Sequence, residues 1–457
     1  MLSRRGFSMS ALRKVLSPAF RLDSEWQKRH SDLKALNLGG DYEWIAAVQK
    51  KFVGGGRASA VDVDAAACLS EESDQLEDVL ELVYKLRHTD NAADLLPSTE
   101  YATLRLLLKH GAENELFKVL NDPINYGIFP NYHSAGLLLD HFLRAENFPA
   151  AAKIATILMQ QEMFDHEVLN LLALYALLKF TELPSEARSF DETIQKKTVV
   201  VDEDDINEEE LRSMKFPFLK NPFFDGHFDL EETDALVGKA LSWFNRELAS
   251  RIGANGAQID LLATALTSDL EAVGKAVAKA SNVSPSVAAT VKSVLEKAVG
   301  GIPEEGREEN DQFKAIQTIS TKLESSTSTS TPALSATVLE ALKTVQQAGE
   351  EAIVKEQKTL FTDWNTARKA RALMQAERVN LRLRIAEIKA EIAQHEARKE
   401  ELFFFENRVR WEDKAAEQDK LFEEFNLNNK DETVTESEYA KEMFEKALEQ
   451  KRKQATA

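Results

Sequence analysis

Thr103-Leu104-Arg105-Leu106-Leu107-Leu108-Lys109, Leu138-Leu139-Asp140-His141-Phe142-Leu143-Arg144 and Ala173-Leu174-Tyr175-Ala176-Leu177-Leu178-Lys179 are one phrase written three times, 35 residues apart. In each copy a leucine is followed at i+3 by Leu or Phe and at i+4 by Leu. This places three apolar side chains on one helix face, with a basic residue next to them. A second helix follows in the first two copies, where Val119 aligns with Ile154, Ile124 with Met159 and Phe129 with Phe164. A period near 35 with two helices per unit predicts an all-α chain built on an α-solenoid. One such unit cannot bury both of its apolar faces, so its neighbours must stack on it.

The wording between the helices narrows the reading. Tyr126-Gly127-Ile128-Phe129-Pro130 closes one unit, Leu137-Leu138-Leu139-Asp140 lies in the first helix of the next, and Glu146-Asn147-Phe148 turns into its second helix. Together with Tyr84-Lys85-Leu86-Arg87-His88, these phrases resemble the pentatricopeptide repeat. Over residues 76–180 they are similar to the pentatricopeptide-like family of the animal mitochondrial small ribosomal subunit, number twenty-seven in that subunit's naming series. The resemblance implies a structural, RNA-contacting component that supports mitochondrial translation. Its partners would be small-subunit ribosomal RNA and neighbouring mitochondrial ribosomal proteins, with no cofactor and no small-molecule substrate. In pentatricopeptide proteins a polar residue about one turn into the first helix chooses the base, and here that place holds Leu137.

Working outward, residues 1–22 carry Arg4, Arg5, Arg13, Lys14 and Arg21, several serines and no acid before Asp23. This composition predicts a mitochondrial transit peptide, hence a matrix location. A secretory signal does not fit, because Arg13, Lys14 and Pro18 interrupt the run Leu12–Phe20. Helical repeats are expected over 26–180, with Pro97-Ser98-Thr99 and Asn147 with Pro149 as helix starts. Gly54-Gly55-Gly56 lacks the Lys-Ser/Thr of a phosphate loop and reads as a break. Residues 181–225 form an acidic and aromatic insertion, with Asp202–Asp205, Glu208–Glu210 and then Phe216, Phe218, Phe223 and Phe224. Thr198–Val201 is the main strand-like run. Further helical pairs follow over 226–300, and a polar low-complexity linker over 301–332.

From 333 to 425 a long C-terminal coiled-coil helix is expected. Its seam runs through Ile353, Leu360, Trp364, Ala367, Met374, Leu381, Ile385, Ile388, Ile392 and Leu402. Such a/d spacing predicts a coiled coil, and fifty helical residues reach ~75 Å. Arg368, Lys369, Arg371, Arg378, Arg382 and Arg384 make its flanks basic. Residues 426–457 are a charged tail with a short amphipathic segment at Tyr439, Met443, Phe444 and Leu448.

A net charge of −19 across 457 residues argues against a chain that binds nucleic acid by bulk phosphate neutralisation. The single cysteine, Cys68, excludes an internal disulfide. No apolar run reaches the ~20 residues of a membrane span, so no membrane insertion is expected. The chain has no Gly-x-Ser-x-Gly elbow and no metal-binding His pair set beside a carboxylate, so an enzyme is not expected.

RNA-contact candidates are therefore cations placed by the repeat or the long helix: Lys109, Arg144 and Lys179 in register, and Arg371, Arg378, Arg382 and Arg384. Like charge at one place in each unit is how a helical array tracks a phosphate backbone. Two other functions compete. A non-ribosomal helical scaffold suits the acidity. A mitochondrial RNA-processing factor of the pentatricopeptide type would need more than the two or three bases that so few units read.

Overall fold

Helices begin in this chain where a side chain can satisfy the open N–H groups of a first turn. Asn131 accepts from the Ser134 N–H at 2.8 Å while Ser134 Oγ receives the Asn131 N–H at 2.9 Å. Asn147 accepts from the Ala150 N–H at 3.2 Å, and Pro97 opens its helix where no N–H is needed. Gly111 closes that helix at φ +63°, a conformation that costs glycine least.

The computed structural model describes residues 15–39, 42–195, 227, 230–267, 270–280, 282–300, 310–328, 332–428 and 438–455. The strand-like run at 198–201, the acidic blocks and Phe216 to Phe224 lie outside them. Helices α1 (Asp23–Ala35) and α2 (Tyr42–Phe52) lead into the array, which continues with α3 (Ala60–Leu69), α4 (Gln75–Arg87), α5 (Pro97–His110), α6 (Glu113–Asn121), α7 (Tyr132–Arg144), α8 (Phe148–Gln160) and α9 (Glu167–Thr181). Next come α10 (Thr233–Glu247), α11 (Ala249–Ile252), α12 (Gly256–Leu266), α13 (Leu270–Lys279), α14 (Pro285–Gly300), α15 (Asp311–Ser326), α16 (Leu334–Asn428) and α17 (Glu438–Ala455). The fold is all-α, and the described residues hold no strand, only a bridge between Val283 and Thr327.

Each first helix packs on its own second helix and on the next first helix: α5 on α6 and α7, then α7 on α8 and α9. All members of the sets Leu104/Leu139/Leu174 and Leu107/Phe142/Leu177 are buried. Phe142 stacks on Phe117 of the preceding unit with ring centroids 5.6 Å apart. Helix α9 is buried almost all round, which fits its lack of a polar face.

The second-helix register holds only for Val119 and Ile154, both buried. Helix α6 stops at Asn121, ahead of Pro123, which has no N–H to extend it. Ile124 therefore stands in the turn at 79 % exposure, whereas its aligned Met159 is buried in α8. Phe129 is likewise outside a helix and exposed.

One boundary is corrected. Half of the expected linker at 301–332, Asp311 to Ser326, is helix α15, with Ile316, Ile319 and Leu323 buried. Polar composition hid an apolar stripe at helical spacing. At the other end, Val15, Leu16, Phe20 and Leu22, which fall within the expected leader 1–22, are buried.

The chain divides into two bodies, residues 1–372 and 373–457. In the first, the start of α16 runs back along the first helices, from the C-terminal end of α9 past the N-terminal turns of α9, α7 and α5 to α1 and α3. Ser335 Oγ donates to Glu182 at 2.5 Å. Gly349 lies so close to α9 that a Cβ there would come within 2.0 Å of Val168. Gln357 accepts from Asn131 at 2.9 Å. Phe361 and Trp364 pack on Tyr101 at 5.5 and 5.4 Å. Asn365 then reaches Asp32 at 2.6 Å, and Arg368 reaches Asp64. The expected seam is correct at Ile353, Leu360 and Trp364, but it faces the array rather than a second coiled-coil strand. At its next step Ala367 is exposed and Arg368 is the buried residue. A face that follows 3.6 rather than 3.5 residues per turn drifts by one position there.

In the second body, α16 continues past residue 372 with non-helical backbone angles at Asn407. Phe422 and Phe425 meet Phe444 of α17 at 6.2 and 5.9 Å. The expected charged tail is thus largely helix α17.

Candidate nucleic-acid interface

The three cations in register occupy equivalent last turns of α5, α7 and α9, and each already has an acidic partner. Lys109 Nζ donates to the Glu71 carbonyl at 3.0 Å and lies 3.3 Å from its carboxylate. Burial opposes ionisation of Glu71, but hydrogen bonds from His30, Arg29 and Lys109 outweigh it and hold the group down at about 2. Lys109 therefore faces a carboxylate charged throughout the physiological range. Arg144 pairs with Asp140 at 2.6 Å, one turn earlier on α7. Lys179 pairs with Glu182 at 2.8 Å just past the end of α9. The row exists, yet its charge is largely matched inside the fold.

Lys109 also lines a cleft of about 500 Å³ beside α1, α5 and α7. Arg21, Arg29, Arg105 and Lys109 face Asp23, Glu71 and Asp140 there, four cations against three carboxylates. Arg105 pairs with Asp23, and Arg29 with Glu71 at 2.7 Å. Such a mixed lining carries little net potential for a polyanion.

The long helix differs. Arg371 bonds the Asp94 carbonyl on the array and is spent there. Arg378, Arg382 and Arg384 are exposed in the second body, and of these Arg384 meets Glu387 at 3.1 Å. Between Trp364 and Ala386 the sequence has six cations and one acid, Glu377. On the same helix Met374, Leu381, Ile385, Ile388 and Ile392 form an apolar stripe, each 41 to 61 % exposed.

The base-reading position is closed. Leu137 is buried, as are the residues 35 positions to either side, Ala102 and Leu172. All three are apolar and present no hydrogen-bonding group to a base edge. The N-terminal turns of α5, α7 and α9 carry polar groups, but α16 and its neighbours take them. His166 is 2.9 Å from Glu356. Asp64 receives Ser98 and Thr99 hydroxyls as well as Arg368. His133 Nε2–H donates to the Phe20 carbonyl at 2.6 Å, which leaves Nδ1 to accept from Tyr101 Oη at 3.1 Å. Burial pushes His133 down to about 4, so the ring is neutral near pH 7.

Sequence reasoning counted Arg368 among the solvent-facing flank and passed over Asp64, His133 and Phe20. A sequence signal for Arg368 is its place one turn after Trp364, on the face that carries Ile353 and Leu360. Asp64 gives less warning, since a lone acid in an alanine-rich helix is ordinary.

Among the described residues, no helix is long and apolar enough to cross a membrane, and no group of three or more His, Cys, Asp or Glu is placed to hold a metal ion. Compared with known families, residues 2–394 match the family model described as "Mitochondrial 28S ribosomal protein S27".

Proposed function

Because this chain belongs to the mitochondrial 28S ribosomal protein S27 family, and is thus a protein of the mitochondrial small ribosomal subunit, we propose that it supports translation as a structural part that touches ribosomal RNA from outside its repeat array. One observation carries this reading. Helix α16 covers the N-terminal turns of α5, α7 and α9, and Ala102, Leu137 and Leu172 are buried and apolar. A strand of RNA finds no row of base-edge partners along that face.

RNA contact then falls to phosphate-facing cations. Arg378, Arg382 and Arg384 come first, being exposed in a stretch poor in acids. Lys109, Arg144 and Lys179 form a weaker row, because an RNA phosphate must compete with Glu71, Asp140 and Glu182. With a net charge of −19, the free protein binds RNA modestly, and counterion release makes that binding fall steeply with salt. Neighbouring ribosomal proteins supply the rest of its hold in the mitochondrial matrix. The apolar stripe from Met374 to Ile392 favours the long helix as a ledge for one of them.

Sedimentation of tagged protein from solubilised mitochondria tests the reading. The protein travels with the small subunit, at salt that strips it from naked ribosomal RNA. Changing Arg378, Arg382 and Arg384 to Glu weakens free-RNA binding more than subunit association. Protein left at the top of the gradient beside intact small subunits contradicts the ribosomal role. Tight, base-selective binding to one short RNA supports a processing factor instead.

A further inference from the structure

We propose that residues 15–22 stay on the mature protein as a strap of its fold, and that the import-processing protease cuts the leader upstream of Val15. This rests on the mitochondrial reading above. The cut is a hydrolysis: one water adds across a single peptide bond, its hydroxyl going to the leader's new carboxyl end and its hydrogen to the mature chain's new amino end.

The strap is held through its backbone from two helices. From α7, Asp140 accepts the Leu16 N–H at 3.0 Å, Arg144 donates to the Leu16 carbonyl at 3.1 Å, and His133 donates to the Phe20 carbonyl at 2.6 Å. From α16, Glu350 accepts the Ser17 N–H at 3.2 Å, and Gln346 donates to the Val15 carbonyl at 2.7 Å. These partners lie 113 to 333 positions away in the chain. A protease that grips an extended substrate needs the same N–H and C=O groups. In the folded chain the Val15 carbonyl, both groups of Leu16, the Ser17 N–H and the Phe20 carbonyl are taken.

The side chains agree. Val15, Leu16, Phe20 and Leu22 are buried. The Phe20 ring stacks on His133 with centroids 4.7 Å apart and planes 17° apart. Gly136 of α7 makes room for it, since a Cβ there would lie 2.7 Å from the ring. A cut at residue 22 would empty this seat and leave the buried Asp140 and Glu350 without the N–H groups they accept. The segment 1–14 alone still has the leader's character, with Arg4, Arg5, Arg13 and Lys14 and no acid.

Two measurements on full-length protein expressed in cells test the inference. Protease protection of isolated mitochondria reports import, and terminal-amine labelling with mass spectrometry reads the mature first residue. A first residue between positions 3 and 15 is expected. Imported protein that begins at any of residues 16–23, or that keeps its original end, overturns the inference and leaves the mitochondrial reading intact. Protein found outside mitochondria overturns both. Separately, Phe20→Ala in the full chain lowers the thermal midpoint and speeds amide exchange in the first part of α16. An unchanged melt and exchange pattern overturns the strap.

Discussion

Arg368 Nε donates to Asp64 Oδ2 at 2.5 Å across 304 positions of chain, with the two side chains 3 % and 0 % exposed. Asp64 also receives the Ser98 and Thr99 hydroxyls and the Cys68 thiol, and the Arg368 fork also reaches Asn365 at 2.7 Å. A buried pair of this kind adds little net stability over an apolar pair, but removal of one partner strands the other charge. Arg368 and Asp64 thereby fix where along the array α16 sits.

Arg368→Met is expected to cost about 3–5 kcal/mol, because Asp64 keeps its burial and loses its counter-charge. Urea unfolding of the full chain measures it. Amide exchange adds a local signature, with protection lost first in the part of α16 that precedes residue 372. An unaltered midpoint contradicts the assigned role of the pair.

Phe142→Ala is expected to destabilise by about 3–5 kcal/mol, the range for truncating a fully buried phenylalanine. Its ring stacks on Phe117 of the preceding unit, so the damage spreads to that neighbour. Phe129→Ala, at an exposed position outside any helix, serves as the control and shifts the melt far less.

Two buried groups give opposite pH dependence. Burial lowers His133 to about 4, so its contribution is present above its unfolded value near 6.5 and is lost as pH falls towards 4. Burial raises Glu100 to about 7, so its contribution is present below its unfolded value near 4.5 and is lost as pH rises through 7. Each amounts to on the order of 3 kcal/mol. Relative to the parent, His133→Gln gains stability as pH falls from 6.5 to 4, and Glu100→Gln gains it as pH rises from 4.5 to 7. Chemical denaturation across pH 4–8 reads both differences, and parallel profiles would contradict them.

The legible part of the fold was local. Leu104, Leu139 and Leu174 announced their helices because packing demands one residue type at one period, and Asn147 caps its helix by chemistry that needs only three residues of context. What stayed hidden depends on distant partners. Gln357 and Arg368 are polar residues on an otherwise apolar face, and only the surface opposite each decides that it is buried. Reading apolar spacing alone carried the seam from Trp364 to Ala367 and missed Arg368. Composition hid α15 in the same way, and it assigned Val15 to Leu22 to the leader because Asp23 is the first acid. At the candidate interface the sequence marked Lys109, Arg144 and Lys179 by their period. It had no means of showing Glu71 lying against Lys109 from 38 positions away.

The placement of RNA contact is tested most directly by ultraviolet crosslinking of intact mitochondrial small subunits, followed by mass spectrometry of the RNA-linked peptides. Crosslinks are expected on the α16 peptides that contain Arg378, Arg382 and Arg384, with few or none on residues 98–103, 131–137 or 166–172. Crosslinks concentrated on those N-terminal turns would mean that α16 leaves the array in the ribosome and that RNA takes its place, which contradicts the reading.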